Sequence, residues 1–285
     1  MNRVMPSATS AVLGLAAELR EAGRPVISLG AGEPDFDTPD HIKQAAIEAI
    51  HQGETKYTAI DGTSHLKAAI QRKFERDNQL RYAPEQILVS VGAKHTLFNA
   101  CMGILGPGDE AIVPAPYWVS YPDMVRVAEG TPVMIDTGIE DGFKVTPGKL
   151  EAAITERTRL LFLNSPSNPT GSCYTRDELA ALGEVLLKHP DVVILADDIY
   201  EHIHWADEPF CSLATACPDL YDQVVTINGV SKCYAMTGWR VGYAGGPPEV
   251  IKAMKTIQSQ ITSNPCSISQ VAAAAALDGD QACMT

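Results

Sequence analysis

No stretch of this sequence holds the run of about 18 apolar residues that a membrane-spanning helix needs. The opening residues, MNRVMPSATS, lack the apolar centre of a secretion signal, so the expected location is cytoplasmic. Basic residues are in deficit. The 22 Lys and Arg against 35 Asp and Glu leave a net charge of -13, and a field of that sign repels nucleic acid and anionic membrane surfaces. Any phosphate bound here must therefore be gripped locally. Cysteine pairs at C-x-x-C spacing are missing; Cys101, Cys173, Cys211, Cys217, Cys233, Cys266 and Cys283 are odd in number and read as reduced, mostly buried thiols. The sequence also lacks a G-x-x-x-x-G-K-[ST] loop, a strand-linked G-x-G-x-x-G and a G-x-S-x-G elbow, which removes the nucleotide cradles and hydrolase triads those loops build. Internal repeats, low-complexity tracts and long linkers are absent too.

What is there is a chain of 285 residues, 45% hydrophobic and 20% charged, which suits a soluble globular protein of one large or two ordinary domains. Residues 7–23 read as a helix capped by Ser7 or Thr9, with an apolar stripe through Val12, Leu15, Ala16 and Leu19. A glycine-rich turn, LGAGEPDF at 29–36, follows, and glycine there lets backbone approach a ligand closely. Thr38 and Pro39 open a second helix, as cap and first-turn proline, that ends near Gly53. Residues 54–62 are irregular and carry Tyr57; residues 63–78 are helical again.

From Gln86 onward the rhythm becomes strand then helix. Apolar runs at 87–91, 111–113, 133–135, 160–163, 192–195, 224–227 and 241–244 make seven strands, most of them separated by helical stretches such as 93–105, 149–154 and 176–188. Unbroken apolar strands alternating with helices predict an α/β fold, a mostly parallel sheet covered on both faces. Ligands of such sheets gather at the carboxyl ends of the strands. The polar residues of interest fall there. Gly92, Ala93 and Lys94 follow the first strand and open a helix, an arrangement suited to an anion. Trp118 follows the next, able to stack on a planar ring or to pack in the core. Asn168 lies in the rigid loop NSPSNPTG at 164–171, and Asp197 and Tyr200 follow the 192–195 strand. A metal site from Asp197, Asp198, His202 and His204 is disfavoured because successive strand residues face opposite sides, so the expected metal is none. Lys232 lies between two strand-like runs, eight residues before Arg240, so one segment offers an amine for a Schiff base and a guanidinium for a phosphate.

Four motifs stand in one order: AGEPDF at 31–36, PYWVSYP at 116–122, NSPSNPTG at 164–171 and SKCYAMTGWRVGY at 231–243. Over nearly the whole chain this resembles a class I, fold type I aminotransferase dependent on pyridoxal 5'-phosphate, and especially the bacterial aspartate aminotransferase branch. The resemblance implies an N-terminal segment at 1–40 and a cofactor-binding large domain at 41–285. It implies that Lys232 carries the cofactor as an internal aldimine and shuttles the proton, with Asp197 facing the pyridine nitrogen and Tyr200 and Asn168 on the ring hydroxyl. Trp118 stacks on the ring, while Gly92, Ala93, Lys94, Ser231 and Arg240 hold the phosphate, joined by Tyr57 from the other subunit of a homodimer. Gly32, Trp118 and Asn168 contact substrate. The expected reaction is ping-pong transamination of L-aspartate or a related amino acid with 2-oxoglutarate; another activity of the same cofactor, such as β-elimination, and cofactor binding without turnover are the alternatives. Two departures stand out. Members of this family often carry serine or threonine three residues before the lysine, where this chain has Gly229, and they usually continue into a C-terminal small domain with a carboxylate-binding arginine. That small domain is expected to be absent here.

Overall fold

Seven strands form one sheet in which six run parallel and one runs against them. They are β1 (Ile87–Ser90), β2 (Glu110–Ala115), β3 (Thr131–Asp136), β4 (Thr158–Asn164), β5 (Val193–Asp197), β6 (Val224–Gly229) and β7 (Gly242–Gly245), in the spatial order β1-β7-β6-β5-β4-β2-β3. The computed structural model describes residue 4, residues 8–30 and residues 32–284. Ser7, expected as a cap, and Ala31 of the glycine-rich turn lie outside the described residues. Pairing is parallel from β3 through β2, β4 and β5 to β6; β7 is antiparallel to both β6 and β1.

The helices are α1 (Ala8–Glu21), α2 (Asp40–His51), α3 (Ser64–Asn78), α4 (Ala93–Ile104), α5 (Tyr121–Val127), α6 (Pro147–Ala153), α7 (Arg176–Leu186), α8 (Leu213–Ala216), α9 (Pro248–Ile261) and α10 (Ser267–Asp278). They cover both faces and divide the apolar side chains into two cores. Within β4, Leu161 and Leu163 enter one core while Leu160 and Phe162 enter the other. The same alternation holds in β5, where Ile194 and Ala196 face the first core and Leu195 the second. A strand buried on both sides needs apolar residues at every position, which is why these runs are unbroken. The first core includes side chains of α2, α3, α7 and α10, and the second includes those of α4, α5 and α9.

Some details differ from expectation. Helix α2 begins at Asp40 with Pro39 in the capping position and no side-chain cap, because the Thr38 hydroxyl is engaged elsewhere: it donates to the Ala235 carbonyl at 2.7 Å. On α1, Val12 and Leu15 are exposed while Ala16 is buried and Leu19 half-buried, so only part of the apolar stripe is covered. The last strand, expected from residue 241, begins at Gly242, and Arg240 precedes it in a left-handed conformation at φ 55. Among the described residues no helix is long and apolar enough to cross a membrane.

Candidate active site

The parallel strands all deliver their carboxyl ends to one edge of the sheet, and the expected residues sit on the segments that leave it. After β6, every residue of which is buried, the chain makes a tight loop. The Met236 amide donates to the Ser231 carbonyl at 3.1 Å, and the Ala235 amide to the Lys232 carbonyl at 3.3 Å. Lys232 is thereby held at the start of a closed turn, and its Nζ donates to the Gly32 carbonyl oxygen. Burial lowers the pKa of this amine; Glu33 pulls it upward, Arg240 adds to the lowering, and Asp197 pulls upward more weakly. Residues 32–38 lie across the turn through further bonds: the Thr237 hydroxyl to Glu33, and the Trp239 indole N–H to the Thr38 hydroxyl at 3.0 Å.

Position 229, where the resemblance leads one to expect serine or threonine, is tightly surrounded in this chain. A Cβ there would lie 3.0 Å from the Val241 carbonyl oxygen and 3.2 Å from the Gly242 Cα. β7 packs so closely that a side chain has little room.

Asp197 ends β5 and is buried. Its Oδ2 accepts the Tyr121 hydroxyl at 2.7 Å, while Oδ1 is buried with no hydrogen-bond partner. Burial pushes the carboxyl up to about 6, opposed by Tyr121, by the Ile199 amide, which lies outside hydrogen-bond geometry, and by Lys232. Tyr121 in turn stands edge-on to Trp118, with ring centres 5.4 Å apart. The Lys94 ammonium sits 4.8 Å from the centre of the Trp118 ring. Burial and then the nearby Arg240 hold the Lys94 pKa below its ordinary value.

Asn168 Nδ2 donates to the Tyr200 hydroxyl at 3.3 Å, and Lys232 Nζ lies 5.6 Å from the centre of the Tyr200 ring. The loop bearing Asn168 is tied to β5, since the Asn164 side chain accepts from the Asn168 amide at 2.7 Å and donates to the Asp197 carbonyl at 2.8 Å. On the other side of the lysine, Gly92 caps α4 at φ 86. A Cβ here would lie 2.9 Å from Arg240 Cζ and closer still to Nη2, so the guanidinium rests against bare backbone at a helix N-terminus. Arg240 is steadied by donating from Nη1 to the Thr237 carbonyl at 2.7 Å.

The structure thus brings Gly32, Gly92, Ala93, Lys94, Trp118, Asn168, Asp197, Tyr200, Ser231, Lys232 and Arg240 to one end of the sheet. It does not bring Tyr57 there; that side chain is 93% exposed. Tyr121 and Asn164 are absent from the sequence reading although both sit inside its motifs. Tyr121 is three residues beyond Trp118 at the start of α5, and that spacing was the available signal. The four residues weighed as a metal site do not form one group; the donors that converge are Asp77, Glu201 and His202, and the Lys73 ammonium already lies among them.

Two features fit a planar, anionic cofactor with a ring nitrogen: the unpartnered oxygen of Asp197, which suits an N–H donor, and the cradle of α4 amides and Arg240, which suits a phosphate. Residues 24–285 match the family described as aminotransferase class I and II. The aspartate/prephenate aminotransferase of Nitrosomonas europaea is 60% identical over 281 residues, 99% of this chain and 71% of that protein. The Cereibacter sphaeroides protein of the same name is 62% identical over 279 residues, covering 98% and 70%. Among solved structures, the aspartate aminotransferase of Rhizobium meliloti superposes with a TM-score of 0.96 at 54% identity, covering 100% of this chain and 72% of that one. That of Thermus thermophilus with maleate gives 0.93 at 47%, covering 98% and 72%. Sequence, fold and the arrangement of charged groups agree, and the chain belongs to the class I and II aminotransferases, enzymes that work with pyridoxal phosphate.

Proposed function

We propose that this chain transaminates L-aspartate, or a closely related amino acid, with 2-oxoglutarate as acceptor, in two half-reactions of a ping-pong cycle. The observation that carries the chemistry is the pairing of a pKa-lowered amine, Lys232, with a buried carboxylate, Asp197, that has one oxygen unpartnered. Relatives named for aspartate, and a neighbour solved with the dicarboxylate maleate, support the substrate class.

Bound pyridoxal phosphate supplies an electron sink for the pair of electrons left when the substrate Cα loses its proton. The chain's part is orientation and proton transfer. Asp197 Oδ1 would accept from the ring nitrogen and keep it protonated, which the carboxylate does best when ionised; burial pushes it up to about 6 in the apoprotein, and a cationic ring beside it would pull it back down. Asn168 and Tyr200 address the ring oxygen with a shared hydrogen bond already in place. Trp118 would cover one ring face. The amides of Gly92, Ala93 and Lys94, with Ser231 and Arg240, would take the phosphate. Lys232 would accept the proton that the substrate Cα loses and hold it for transfer, a role that requires the neutral amine. Its lowered pKa raises the neutral fraction near pH 7.

Gly32 and Asn168 are assigned to the substrate carboxylate. A homodimer supplies Tyr57 to the phosphate of its partner's site, in keeping with the side chain's near-complete exposure here. The seven unpaired cysteines fit a reducing, cytoplasmic setting.

The test begins with borohydride reduction of the holoprotein, which should fix the cofactor to the peptide carrying Lys232. L-aspartate alone should then change the visible spectrum, and 2-oxoglutarate should restore it with formation of glutamate. Ammonia release from an amino acid with a leaving group on Cβ, such as L-serine, in place of glutamate formation from aspartate would assign elimination, and a spectrum indifferent to both would leave cofactor binding alone.

A further inference from the structure

Beneath the Tyr200 turn a buried ion pair ties α3 to the chain that follows β5 and to the end of β6, just past the point where the β5–β6 ladder stops at Asp197 and Ile227. Lys73 on α3 is 2% exposed and Glu201, the residue after Tyr200, is 4% exposed. The Lys73 ammonium pairs with Glu201 Oε1 and donates to Asn78 Oδ1 at 2.7 Å. Glu201 Oε2 accepts from Asn78 Nδ2 at 2.7 Å, and Oε1 accepts from Asn228 Nδ2 at 2.8 Å. Asn228, also buried, accepts the Gly229 amide on its own Oδ1 at 2.7 Å. At the outer rim His202 Nε2 stands 3.2 Å from Glu201 Oε1 and 3.6 Å from Asp77 Oδ2, and Arg76 pairs with Asp77.

Such a pair is a poor way to gain stability, because two ions have been taken out of water and an apolar pair of similar volume commonly does as well. Its geometry offers a different reason. One carboxylate reaches two segments: the β5 turn, which carries Asp197 four residues before Glu201 and Tyr200 directly before it, and the end of β6, where Asn228 precedes Lys232 by four residues. The spacing between those segments sets the distance from the ring-binding groups to the reacting amine.

We infer that Glu201, held by Lys73, is a positioning residue that clamps the Asp197 and Tyr200 turn to the strand end carrying Lys232. This rests on the transamination reading for its kinetic consequence. The clamp itself is a statement about the apoprotein.

Three variants test it. Lys73→Met with Glu201→Leu removes both charges and every clamp hydrogen bond to residue 201; Lys73→Met with Glu201→Gln removes the charges but keeps an amide able to bond Asn78 or Asn228. Asn228→Ala cuts the β6 side alone and serves if the apolar pair does not fold. For the apolar pair, kcat is expected to fall on the order of 10- to 100-fold, the scale of an ångström-level misplacement, with KM for aspartate little changed. The pH titration of the visible absorption should shift as well. The Gln variant should recover part of both, and Asn228→Ala should move both in the direction of the apolar pair. In the apoprotein, hydrogen exchange at the Asp198, Glu201 and Ile203 amides, which donate to Ile227, Asp198 and Tyr200, should quicken while β2 and β3 stay protected.

Unchanged kcat, absorption titration and local exchange in a folded variant would overturn the inference and leave the pair a structural feature only. If the parent chain neither binds the cofactor nor responds to aspartate, the proposed function fails. Exchange in the apoprotein still decides the clamp.

Discussion

At Asp197, function and stability pull in opposite directions. Burial raises its folded pKa from 3.8 to about 6, so the group favours the folded apoprotein below about pH 4, and that preference is lost as pH rises to about 6. Above pH 6 the ionised side chain costs up to about 3 kcal/mol, at ~1.4 kcal/mol per unit. Asp197→Asn is therefore expected to make the apoprotein more stable at pH 8 and indifferent below pH 4, measured by thermal unfolding at both values. The same substitution should lower kcat/KM on the order of 10²–10³-fold, the usual scale for losing one preorganised electrostatic contact. A variant that lost activity and stability together at pH 8 would contradict this assignment of the carboxylate.

Gly92 offers a second residue-scale test. Alanine there must adopt φ 86, and its Cβ collides with the Arg240 guanidinium. Gly92→Ala is expected to weaken pyridoxal phosphate binding about 10- to 100-fold, similar to Arg240→Ala, because a charge-assisted hydrogen bond is worth about 1.5–3 kcal/mol. Fluorescence titration of the apoproteins measures this. The double variant should bind no more weakly than either single one if both act through the same guanidinium.

Among the elements, what was legible followed from burial on both faces. Leu160, Leu161, Phe162 and Leu163 alternate between two cores, so β4 announced itself as an unbroken apolar run. The reversed direction of β7 was not legible. GYAG is short, and its antiparallel place between β1 and β6 comes from tertiary packing around Gly229 and Gly245. Lys73 and Glu201 were invisible for a related reason: a lysine and a glutamate far apart in sequence read as surface charge, and only the fold shows that they face each other in the interior. Thr38 was misread because capping is a local rule, and its hydroxyl is claimed by the Lys232 turn.

Gln258 shows how one side chain can join elements. Its Nε2 donates to the Ile60 carbonyl at 2.7 Å and the Val89 carbonyl at 2.8 Å, while Oε1 accepts from Asn99 Nδ2 at 2.9 Å. It thereby fastens α9 to β1, α4 and the loop before α3. Gln258→Leu takes this donor from the Ile60 and Val89 carbonyls and leaves Asn99 Nδ2 only its 3.5 Å bond to the Ser90 hydroxyl, and the expected loss is about 3 kcal/mol. Urea unfolding should show a lower midpoint with an unchanged slope.

For the whole molecule, the acidic balance sets how an anionic cofactor arrives. The net charge of -13 repels a phosphate at long range, whereas Lys94, Lys232 and Arg240 attract it only near the strand ends. The two fields differ in reach, so salt separates them. At ~0.01 M ionic strength charges interact over about 30 Å and the acidic surface dominates the approach; at ~0.15 M the reach shrinks to about 8 Å and mainly the local cluster remains. The association rate of pyridoxal phosphate with the apoprotein, followed by stopped-flow absorbance, should therefore rise several-fold between those conditions. Dissociation should quicken less, because the bound phosphate is held by short hydrogen bonds at the α4 N-terminus. A rate that fell steadily with added salt would mean that the basic cluster steers the ligand from a distance, and that the acidic surface has no part in how the site fills.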